Sequence, residues 1–131
     1  MPLFMILIAA ITSNDICETS EVSASLITCV HLRITGAPMG SIGLAKLLPL
    51  VIRARLSKLD LSHQNLGPDG IRVLIPAIRS HPTLSVLHLN HNQLGNSGAV
   101  ALAMMLEHPG SKLRSLVIHD NEVSAARILA H

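Results

Sequence analysis

One apolar pattern returns four times along this chain. Leu56-x-x-Leu59-x-Leu61-x-x-Gln64-x-Leu66 comes back as Leu84-x-x-Leu87-x-Leu89-x-x-Asn92-x-Leu94, and again as Leu113-x-x-Leu116-x-Ile118-x-x-Asn121-x-Val123. A degenerate earlier copy reads Cys29-x-x-Leu32-x-Ile34-x-x-Ala37-x-Met39. The copies start at 29, 56, 84 and 113, so the period is 27, then 28, then 29 residues. Self-similarity at such a period constrains the fold more than any single motif. Each unit is one supersecondary element that cannot bury its apolar face alone, so the units must stack.

The second half of each unit repeats too. Leu66-Gly67-Pro68-Asp69-Gly70-Ile71 is matched by Leu94-Gly95-Asn96-Ser97-Gly98-Ala99. Apolar residues at 44, 47, 48 and 51, at 71, 74, 75 and 78, and at 99, 102, 103 and 106 keep the spacing of an amphipathic helix. Gly67 and Asp69 bring turn and N-cap chemistry ahead of that helix. Pro49 and Pro76, at equivalent helix positions, each remove a backbone donor and are expected to kink it. Each unit is thus a short strand, a turn and a helix of about three turns.

The pattern LxxLxLxxNxL followed by LGxxGAxxLAxxL resembles the leucine-rich repeat family, and its period and full helix are similar to the ribonuclease-inhibitor-like subtype. The resemblance covers about residues 29 to 131. It implies an α/β solenoid of about four repeats, with a curved parallel sheet on the concave side and helices on the convex side. Residues 29–131 are expected to be these repeats, the last incomplete. Residues 1–28 are expected to be an apolar N-terminal helix or signal-like segment plus an irregular connection. The first copy has Cys29 for Leu and Ala37 for Asn, so a looser turn is expected there. By the resemblance, Gln64, Asn92 and Asn121 satisfy backbone groups of the turn. Gly40, Gly43, Gly67 and Gly70 read as turn glycines, not as a nucleotide cradle.

Both ends leave alternatives open. The uncharged apolar run at residues 3–11 is shorter than the ~20 residues a membrane-spanning helix needs. It reads as a buried flanking helix or as a secretory signal, with a membrane anchor a distant third. Against a signal, no Lys or Arg precedes the run and no Asn-x-Ser/Thr site follows. The Ser- and Thr-rich stretch 12–28 reads as an irregular connection. The last copy stops inside its expected helix, and no polar capping repeat closes either end. The chain is accordingly read either as complete or as a piece of a longer solenoid, with self-association through uncapped ends as one consequence.

Composition narrows the function classes. At 49% hydrophobic and 14% charged, the chain is no disordered tail. A net charge of +2 with no Trp and no Tyr offers neither a basic field nor stacking platforms for nucleic acid. With two cysteines it is not a disulfide scaffold; Cys29 is read as a buried small hydrophobe in a core Leu position, and Cys17 as a free thiol. No Gly-x-Ser-x-Gly, phosphate loop or His-Glu-x-x-His occurs, so neither catalysis nor a cofactor is expected.

By the family pattern, the residues between the core positions face the concave side in four columns. They run His31, Lys58, Val86, Ser115; Arg33, Asp60, His88, Val117; Thr35, Ser62, Asn90, His119; and Gly36, His63, His91, Asp120. A protein partner of unknown identity is expected to bind there, with Arg33, Lys58, Asp60, His88, His91 and Asp120 as its contacts. The row His63, His91, Asp120 could in geometry share a zinc ion, but solvated repeat positions explain it better, and no metal is assigned. A pH-sensitive interface is a second reading of these histidines. Alternative functions by resemblance are a small-GTPase regulator like the Ran GTPase activators, or a fragment of the sensing arm of an innate-immune-type receptor. The subtype implies a cytoplasmic location, as does the lack of the disulfide caps of secreted relatives; secretion is the alternative if residues 1–11 are a signal.

Overall fold

The computed structural model describes residues 16–19 and 29–121. Strands β1 (Ile16–Thr19), β2 (His31–Ile34), β3 (Lys58–Asp60), β4 (Val86–His88) and β5 (Ser115–Val117) form one parallel sheet in sequence order. Helices α1 (Gly40–Arg53), α2 (Gly67–Ile78) and α3 (Gly95–Leu106) return the chain between β2 and β5 and pack on one another in order. This is the leucine-rich solenoid the repeat implied. The apolar run at 3–11 and the expected helix after residue 123 lie outside the described residues.

The first, fourth and sixth repeat positions point into the core. Leu56, Leu59 and Leu61 are fully buried, as are Leu87 and Leu89, and Leu84 is nearly so. Helix residues Leu44, Leu47, Leu48 and Val51, then Ile71, Leu74 and Ile78, close the core from the other side. Burying each such side chain contributes about 1.5–3 kcal/mol. In the last repeat Leu113, Leu116 and Ile118 are only partly buried.

Several sequence expectations need correction here. In α3 the buried residues are Gly98, Ala99, Leu102 and Met105, while Ala103 and Leu106 face outward. Its apolar positions go almost all the way round, so spacing alone did not pick the inner face. The expected kinks at Pro49 and Pro76 do not end their helices: α1 and α2 run on past both. Both prolines are exposed, so the missing donor falls on the solvent side. Asp69 does not cap α2: it sits in the first turn with its carboxylate 3.0 Å from the Arg72 guanidinium. The helix N-termini are instead closed by the neighbouring repeat. Gly40, Gly67 and Gly95 donate their N–H groups to the carbonyls of Gln64, Asn92 and Asn121 at 2.9, 2.8 and 2.8 Å. Gly40 and Gly67 take φ +64° and +65°, as turn glycines should, but Gly43 and Gly70 do not belong to the turns. They lie inside α1 and α2, where an added Cβ would come 2.6 Å from the Met39 Cβ and 2.7 Å from the Leu66 Cβ.

A further correction concerns the N-terminal segment. Residues 16–19, expected in an irregular connection, form β1 and add a fifth strand beside β2. Cys17 is not a free thiol: it is disulfide-bonded to Cys29, with Cα atoms 5.9 Å apart and both side chains buried. Cys29 does fill a core Leu position, but as half of a covalent link. A period search could not find this, because Cys17 and Cys29 lie only 12 residues apart.

Candidate functional site

The turn after each strand sets the concave rim. His63, Asn65 and Gly67 take positive φ of 62°, 55° and 65°, and His91, Gln93 and Gly95 repeat this at 56°, 56° and 66°. Such backbone is costly for residues with a Cβ, least so for polar types that can bond locally. It persists because the buried amide side chains hold the turns. Asn92 Oδ1 accepts the Gln64 N–H at 2.8 Å, while its Nδ2 donates to the Leu61 carbonyl at 2.8 Å. One repeat on, Asn121 Nδ2 donates to the Leu89 carbonyl at 2.7 Å and Oδ1 accepts the Asn92 N–H at 2.6 Å. Gln64 reaches back to the Ile34 carbonyl at 3.2 Å. In the first repeat Ala37 offers no such group, and Pro38, with φ fixed near −65°, stands where Asn65 and Gln93 are left-handed.

On this frame two of the four expected columns are set by the strand register. His31, Lys58, Val86 and Ser115 stand in register, as do Arg33, Asp60, His88 and Val117. The expected contact residues form two groups. In the first, Asp60 Oδ2 lies 3.7 Å from Arg33 Nε and 3.9 Å from His88 Nδ1, and its Oδ1 accepts the Ser62 N–H at 3.0 Å. Lys58 borders the same depression as Arg33 and Asp60. In the second, His91 Nε2 lies 3.2 Å from Asp120 Oδ2, and the His63 and His91 rings stack at 4.3 Å. Among the described residues, no three His, Cys, Asp or Glu side chains gather to hold a metal ion. Nor is any helix there long and apolar enough to cross a membrane.

Sequence reasoning missed two residues. Glu18, on β1, stands in register with Arg33 and extends the charged column to Glu18–Arg33–Asp60–His88. His81 is buried and ties the end of α1 to the start of β4. Its Nε2 donates to the Val51 and Ala54 carbonyls at 2.9 and 3.1 Å, and its Nδ1 accepts the Thr83 and Leu84 N–H groups at 3.2 and 3.1 Å. The signal was present: His81-Pro82 recurs as His108-Pro109 ahead of the next strand.

A family model described as Leucine Rich repeat matches residues 80–103, from just after α2 into α3. The chain is 32% identical over 115 residues to the ribonuclease inhibitor of Sus scrofa, a match covering 86% of this chain and 25% of that protein. It is 37% identical over 90 residues to the NACHT, LRR and PYD domains-containing protein 12 of Mus musculus, covering 66% of this chain and 8% of that one. The chain therefore spans a quarter or less of the length of these two relatives. With strand, amide-bridged turn and outer helix recurring in register, the chain belongs to the leucine-rich repeat family in its ribonuclease-inhibitor-like form.

Proposed function

We propose that the chain is a non-catalytic interaction module that holds a protein partner across its concave face. The observation that carries this is the charged column Arg33–Asp60–His88, set in register by the parallel sheet. Its side chains are presented on rigid strands, so little ordering entropy is lost on contact. A relative named as an inhibitor of a ribonuclease supports a protein as the partner. The face carries no Trp or Tyr, and Arg33 is the one Arg in its columns. Hot-spot residue types are therefore scarce, and the affinity of this segment alone is modest.

Similarity to a protein whose name joins these repeats to NACHT and PYD domains favours one second reading, a piece of a receptor's sensing arm. For location, the resemblance to a mostly cytosolic subtype stands as support. The lack of a disulfide at the front of the solenoid does not, since Cys17 and Cys29 are paired.

The test is capture from lysate with the intact chain and with a Lys58→Glu, Asp60→Lys, His91→Ala variant. A partner held by the first and lost by the second is the expected result. Retention of the same chaperones by both, and of nothing else, overturns the proposal.

A further inference from the structure

The described sheet begins at β1, and a disulfide ties this strand to the core position ahead of β2. β1 has four residues and, among the described residues, pairs in the sheet with β2 only. Of its described side chains Cys17 is buried and Glu18 is exposed. Short parallel pairing of this kind is weak by itself. Cys17 is bonded to Cys29, which occupies the core position taken by Leu56 and Leu84 in later repeats. β1 also borders the binding face: Cys17 and Glu18 line a depression of about 200 Å³ together with His31, Arg33, Lys58 and Asp60.

We propose that the Cys17–Cys29 bond makes this end of the described sheet conditional on oxidation, so that the concave surface is complete in an oxidising compartment and loses β1 in a reducing one. The proposal rests on the concave-face reading for its functional meaning. The step is a two-electron exchange with a dithiol. One reductant thiolate attacks a sulfur of the pair, forming a mixed disulfide and expelling the other cysteine as a thiolate. The reductant's second thiolate then attacks its own sulfur in that mixed disulfide and expels the remaining cysteine thiolate, and both thiolates take up protons from solvent. Cys17 and Cys29 end as two thiols, and the dithiol ends as a cyclic disulfide. Both sulfurs sit on side chains no more than 2% exposed, so attack needs β1 to open first. Once reduced, the bond no longer restrains the 12-residue separation, and among the described residues β1 is held by its pairing with β2 and by the burial of the Cys17 side chain. Glu18 then leaves the charged column, and Arg33 loses its outer neighbour.

The test needs no partner. The full chain is isolated under air, then compared with and without dithiothreitol, by alkylation mass and by hydrogen exchange. The unreduced chain, unfolded before alkylation, is expected to take up no iodoacetamide, and the reduced chain two equivalents. On reduction, exchange in segments 16–19 and 31–34 is expected to rise on the order of tenfold to a hundredfold, while 86–88 stays protected. Two alkyl groups without reduction overturn the proposal, as does unchanged exchange at 31–34. Loss of protection at 86–88 as well overturns it too, because the bond would then hold the whole fold and not one end of the described sheet. None of these readouts depends on partner capture, so failure here is distinct from failure of the concave-face reading.

Discussion

Asn92 and Gln64 are one repeat apart in sequence and joined in space: the Asn92 carboxamide oxygen accepts the Gln64 backbone N–H at 2.8 Å. The same oxygen lies 3.4 Å from the Leu66 N–H, and the amide nitrogen donates to the Leu61 carbonyl. One buried side chain thus satisfies backbone groups on both limbs of the preceding turn. Replacing it by alanine leaves those groups buried and unpaired, at about 1–3 kcal/mol each. Asn92→Ala is expected to lower the unfolding free energy by about 2–4 kcal/mol in urea titration. A change below about 0.5 kcal/mol, the scale of an ordinary surface substitution, would show that the amide bridges do not hold the turns.

His81 joins two segments with a single ring, donating to two carbonyls at the end of α1 and accepting two N–H groups ahead of β4. A leucine there fills the space but strands four polar groups. His81→Leu is expected to cost about 2–3 kcal/mol, seen as a melting temperature lower by roughly 8–20 °C. An unchanged melt would mean that the ring packs without bonding.

Gly70 offers a test of sign. Alanine normally favours a helix interior over glycine by about 1 kcal/mol. Here its Cβ would meet the Leu66 Cβ at 2.7 Å, and Leu66 is itself buried at the helix entry. Gly70→Ala is therefore expected to destabilise by about 1–3 kcal/mol in the same titration, as overpacking does. Stabilisation would show that the turn has slack.

Asp60 separates binding from folding. Its ion-pair distances are long and the Arg33 side chain is 62% exposed, so the pair adds little stability. Asp60→Ala is expected to cost no more than about 1 kcal/mol, mostly through the lost Ser62 N–H bond. The same change releases Arg33 and His88 from a shared anchor, so partner retention is expected to fall about tenfold. Full retention by a normally folded variant would remove Asp60 from the interface.

The sequence carried the solenoid because a Leu every few residues, repeated four times, admits one way of burying them. Two of the concave columns followed, since strand alternation leaves no freedom once the core positions are known. What it did not carry were features without a period. Cys17 pairs across 12 residues inside a stretch that repeats nothing, so both the disulfide and β1 were hidden. The inner face of α3 was misread because Met104, Met105 and Leu106 are apolar on every side. His81 was passed over because only its partners, not its type, mark it as structural. The stack of His63 on His91 needed backbone at positive φ, which composition does not announce.

The most direct test of the account places a benzophenone amino acid at Val86, next to Lys58 on the concave face, and in a second protein at Val73, on the exposed side of α2. Irradiation in lysate is expected to crosslink one protein partner from Val86 and not from Val73. Crosslinking of that partner from Val73 alone, or equally from both, would contradict binding across the concave face.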